Sequence, residues 1–101
     1  MVEKISSFDA AKFLKSEADI ALFLSEAFAT GDARHIARCL GIASRAKGLA
    51  RVAKEAGIAP EEFCHSFSGI GDPSLQSTLA VLKALGMTLS AVPTRRSSTS
   101  A

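Results

Sequence analysis

The chain has 101 residues, is 48% hydrophobic and carries a net charge of +2, which fits one compact domain with its own core and leaves little room for a second. Its apolar stretches run only a few residues, far below the roughly 18 needed to cross a bilayer, and no charged-then-apolar leader opens it. A cytoplasmic protein without a membrane partner is therefore expected. The two cysteines, Cys39 and Cys64, fall in separate helical stretches and read as free thiols, not as a disulfide framework.

The small net charge hides a segregation. Residues 1–33 hold three lysines against six acidic residues, net −3. From Arg34 to Lys54 come Arg34, Arg38, Arg45, Lys47, Arg51 and Lys54 with no acidic residue among them, a one-signed run suited to phosphate contact.

In chain order, a short helix is expected around Asp9–Leu14. A second follows from about Ser16 to Thr30, because Ile20, Phe23, Leu24, Ala27 and Phe28 recur at helical spacing on one face. Ser16 and Asp19 make a capping-box pair and Gly31 can end the helix. Asp32 reads as the N-cap of a third helix, with Ile36, Leu40 and Ala43 inward, Arg34, Arg38 and Arg45 toward solvent, and Gly48 as its stop. Leu49–Ala56 and Pro60–Phe67 are two short helices joined by Gly57-Ile58-Ala59. After the loop Ser68–Pro73 a final helix is expected over Ser74–Leu85, with Leu75, Leu79, Leu82 and Leu85 as its buried stripe and Gly86 as its end. Thr88–Val92 is β-prone and closed by Pro93, so a short strand is expected there, paired with a second copy of itself or with Val2–Ile5. Residues 1–93 form the single domain, and 94–101, rich in Ser, Thr and Arg, are expected to be a disordered tail.

The segment 49–68 has the spacing of a helix-turn-helix. Ala53 is small where two crossed helices approach, and Gly57 supplies the positive φ of the tight turn. Val52, Ala56, Ile58 and Phe63 face inward, and Pro60 suits a first helical turn, where its missing N–H is no loss. The second helix would lie in the major groove with Pro60, Glu61, Cys64, His65 and Ser68 outward. Arg45, Lys47, Arg51 and Lys54 would approach phosphates. Double-stranded DNA is the partner this pattern implies.

Other chemistries fit poorly. His35 and Cys39 share a helix face at i, i+4, but Cys64 and His65 are adjacent and point about 100° apart, so no zinc site and no Cys–His nucleophile is assigned. With no glycine-rich phosphate loop and no paired carboxylates, neither an enzyme nor a cofactor is expected.

Four stretches carry a family resemblance: Phe8-Asp9-Ala10-Ala11-Lys12-Phe13-Leu14; Ala43-Ser44-Arg45-Ala46-Lys47-Gly48-Leu49; Val52-Ala53-Lys54-Glu55-Ala56-Gly57-Ile58; and Pro73-Ser74-Leu75 with Leu82 through Pro93. Over Phe8–Pro93 the chain resembles the addiction-module antidote proteins, antitoxins of RelE-like toxin–antitoxin pairs with a Cro/repressor-type helix-turn-helix. The resemblance implies an all-α, five- to six-helix lambda-repressor-like domain with a short C-terminal β-strand. It also implies a protein that neutralises a cognate toxin and represses its own operon, as a homodimer or within the toxin complex. The chain departs from the family at the start of the second helix. Ala59-Pro60-Glu61 stands for Ser-Arg-Glu, and Cys64-His65 for Tyr-Lys. Base reading then falls to Glu61 and His65, with phosphate anchoring left to the basic residues. The alternatives are a stand-alone helix-turn-helix regulator and a helical protein-interaction module with weakened DNA binding.

Overall fold

A computed structural model describes residues 12–94. Five helices follow one another: α1 (Glu17–Ala29), α2 (Ala33–Lys47), α3 (Leu49–Ala56), α4 (Pro60–Ser66) and α5 (Leu75–Ala84). Lys12 and Phe13 are also helical, at the end of the helix expected around Asp9–Leu14. Asp9–Ala11, the candidate strand Val2–Ile5 and nearly all of the expected tail lie outside the described residues.

Side chains close the helix starts that the sequence marks. At α1, Ser16 Oγ accepts from Asp19 N at 3.1 Å while the Asp19 carboxylate accepts from Ser16 N at 3.1 Å, a reciprocal capping box. At α2, one carboxylate oxygen of Asp32 accepts from the N–H groups of Arg34 (3.1 Å) and His35 (3.3 Å). At α5, Ser74 Oγ accepts from Ser77 N at 3.0 Å. Each cap satisfies donors that have no partner within the helix.

The core gathers one face of every helix. Ile20, Leu24 and Ala27 of α1 pack with Cys39, Leu40 and Ala43 of α2, Val52 and Ala53 of α3, Phe63 of α4, Phe67, and Val81 and Leu82 of α5 with Leu85. Ile36 is only partly buried. Ser44 is the one fully buried polar side chain among the described residues, and its hydroxyl donates to Leu40 O at 2.7 Å. Its burial therefore leaves no polar group unpaired.

Two expectations are corrected. The buried residues of α5 are Val81 and Leu82, continued by Leu85 just past its end, whereas Leu75 is 66% and Leu79 is 44% exposed. Leu75 opens the helix beyond the reach of the core, and Val81 and Leu82 are the residues buried in place of Leu79. Thr88–Val92 is not a strand. Among the described residues, Thr88–Pro93 makes no backbone hydrogen bond, and a strand without a partner has no ladder to hold it. The segment instead flanks an open groove of about 560 Å³ beside Ala21, Leu24 and Phe28 of α1.

Candidate nucleic-acid interface

The segment expected to read DNA is a helix, a three-residue turn and a second helix. Gly57 follows α3 at φ +73°, in the left-handed region, and its N–H donates to Lys54 O at 3.1 Å. Ile58 N donates to Ala53 O at 3.0 Å, so the turn satisfies two terminal carbonyls of α3. Pro60 occupies the first turn of α4, and Phe63 N closes that turn on Ala59 O at 2.8 Å. Ala59, the N-cap, offers no side-chain acceptor.

Two aromatic side chains hold α4. Phe63 is 1% and Phe67 3% exposed, with ring centroids 4.9 Å apart at 38°, a tilted pair that adds to the burial of their area. Val52 and Ala53 are buried beneath the crossing, and Ala56 and Ile58 are partly buried against it. The opposite surface of α4 is free: Pro60, Glu61, Glu62, Cys64 and His65 are all exposed. Ser68 is exposed but its hydroxyl is occupied, donating to His65 O at 2.9 Å and accepting from Ile70 N at 3.2 Å.

The basic side chains are distributed unevenly. Arg45 and Lys54 are exposed and, among the described residues, make no ion pair. Arg51 is exposed but pairs with Glu55 one turn on, at 3.2 Å, an exposed contact of about 0.3–0.5 kcal/mol that a phosphate can displace. Lys47 is drawn the other way, to Glu17 of α1 at 3.5 Å, with its side chain 26% exposed. Arg45, Arg51 and Lys54 are thus exposed to solvent, and Lys47 is engaged in joining α1 to α2.

The cysteine and histidine side chains do not converge. Cys39 Sγ lies 3.5 Å from His35 Nε2 as their i, i+4 spacing requires, with Cys39 buried. Cys64 is exposed on another helix, and no cluster of three metal-ligating side chains exists among the described residues. Burial raises the Cys39 thiol above its ordinary value of 9.0, against a smaller lowering by Arg38, so it behaves as a core side chain.

Long-range contacts add two features that local sequence does not signal. Gly41, in the middle of α2, lies against Phe67 at the end of α4: a Cβ there would fall within contact of Phe67 O and 3.4 Å from its carbonyl carbon. Arg38, one turn earlier, rests on Gly69 in the loop that follows α4.

A family model described as "Probable addiction module antidote protein" matches residues 4–93. An uncharacterized protein of Haemophilus influenzae (strain Rd) is 34% identical over 87 residues, covering 86% of this chain and 90% of its own length. No solved structure matches the chain. On this match, which spans nearly all of the sequence, the chain belongs to the addiction-module antidote protein family.

Proposed function

We propose that the protein is a DNA-binding antitoxin that neutralises a cognate RelE-like toxin and, as a homodimer, represses its own toxin–antitoxin operon. Family membership supports the antitoxin role. The observation that carries the DNA-binding part is α4: a short helix anchored on one side by Phe63 and Phe67, set off by the Gly57 turn, and preceded in the chain by the exposed cations Arg45, Arg51 and Lys54. That is the arrangement a helix-turn-helix needs in order to enter a major groove with α3 against the phosphates. In this reading Pro60, Glu61, Cys64 and His65 face base edges, and anchoring comes first from the backbone contacts.

A second reading, a protein-interaction module with weakened DNA binding, is favoured by one specific feature. The first turn of α4 carries Glu61 and Glu62, and the helix has no Arg or Lys. A mobility-shift titration on the duplex upstream of the protein's own reading frame, at several salt concentrations, separates the two. The antitoxin-repressor reading expects a shift that weakens with salt and exceeds that on a scrambled duplex. No shift at low salt would leave the interaction module.

A further inference from the structure

The loop after α4, Ser68–Asp72, is held in a defined shape. The Ser68 hydroxyl ties it to His65 O and to Ile70 N at 2.9 and 3.2 Å. Gly71 is packed on the last turn of α4, where a Cβ would fall within contact of His65 O and 2.8 Å from Ser66 Cα. Gly69 takes φ +96°, and Arg38 Nε lies 3.2 Å from the place its Cβ would occupy. Between these two pinned glycines Ile70 projects with 81% of its surface exposed. Arg38 is exposed and, among the described residues, has no ion-pair partner. The loop's carboxylate, Asp72, lines a small cleft with Ala33 and Ile36 at the start of α2.

An aliphatic tip fixed next to an unpaired guanidinium, directly beyond the end of α4, matches the chemistry of a duplex groove edge. We propose that this loop is a second DNA-contacting element: Arg38 binds a backbone phosphate, and Ile70 packs on a thymine methyl group in the major groove. The inference rests on the reading that α4 enters that groove. It also supplies what α4 lacks. With no Arg or Lys to take guanine, apolar contact with the thymine methyl provides base discrimination by other means. Arg38 contributes charge without sequence preference.

Fluorescence-polarisation titrations of wild type, Ile70→Ala, Ile70→Val, Arg38→Ala and Arg51→Ala test this. The probes are the duplex upstream of the protein's own reading frame, a scrambled duplex, and the first duplex with thymine replaced by uracil, which removes only the methyl groups. Ile70→Ala is expected to lower the preference for the upstream duplex about tenfold, the scale of one buried methyl contact, and to be insensitive to the uracil exchange that weakens wild type. Ile70→Val stays near wild type. Arg38→Ala is expected to weaken both natural-base duplexes alike and to reduce the salt slope by about 1. Thermal melts matching wild type show that the exposed substitutions leave the fold intact.

Wild-type affinity for Ile70→Ala and Arg38→Ala, with Arg51→Ala weakened, would overturn the loop proposal and leave the helix reading standing. An Ile70→Ala chain that changes its oligomeric mass would overturn it too, by assigning Ile70 to a subunit contact. If wild type binds none of the duplexes, both readings fall together.

Discussion

Gly41→Ala puts a methyl group where α2 meets the end of α4. In an open helix the change would be favourable, since Ala exceeds Gly by about 0.8–1.0 kcal/mol in helix propensity. Here the new Cβ would enter contact with Phe67 O and lie 3.4 and 3.6 Å from Phe67 C and Cβ. The nearest obstacle is a backbone oxygen, which cannot change rotamer to make room, so α2 and α4 must separate at a cost of about 1–3 kcal/mol. Because Leu40, Ala43, Phe63 and Phe67 belong to the same core cluster, a shift of Phe67 disturbs it, and the upper part of that range applies. The net loss is about 1–2 kcal/mol. For a domain of this size, that lowers the melting temperature by roughly 5–15 °C. Thermal unfolding followed by circular dichroism measures it directly. An unchanged or raised melting temperature would refute the close crossing, since the propensity gain alone would then be acting.

Three further outcomes follow from the caps and the thiols. Asp32→Ala, which leaves the N–H groups of Arg34 and His35 without their acceptor, is expected to cost about 1 kcal/mol in urea unfolding, with Asp32→Asn keeping most of the stability; equal losses in the two variants would refute the capping role. Near neutral pH one thiol per chain, Cys64, should react with a disulfide reagent, and Cys39 only on unfolding. Because burial raises the Cys39 thiol, the unfolded chain ionises first. Stability is therefore whole below the ordinary thiol value of 9.0 and declines as pH climbs toward the folded value. Cys39→Ala should flatten that alkaline decline.

Features written into neighbouring residues were legible from the sequence. Ser16 with Asp19, Asp32, Gly57 and Pro60 each act within a few positions along the chain, and each occupies the expected place. What depends on a distant partner was not. Gly41 looks like a weak point in a helix until Phe67 is placed against it. Leu75 and Leu79 have the right spacing for a buried stripe, yet burial is decided by where the core ends, and Val81 and Leu82 are the residues buried there. Thr88–Val92 has strand composition, but composition cannot supply a neighbouring strand. Among the candidate site residues, exposure of Arg51, Lys54, Glu61 and His65 follows from helical phase alone. The diversion of Lys47 to Glu17 and the seating of Arg38 on Gly69 both require the tertiary fold.

The two-phenylalanine anchorage of α4 has a consequence for how such a protein can change. Only Phe63 is deeply buried within this seven-residue helix, and Phe67 secures its end. The side chains at 61, 62, 64 and 65 therefore contribute little to folding, and substitutions there fall within about 0.5 kcal/mol of neutral as surface changes generally do. The outward letters of the helix can be rewritten one at a time while the scaffold beneath is conserved in shape. Change on this outer surface is thus separable from the maintenance of the fold.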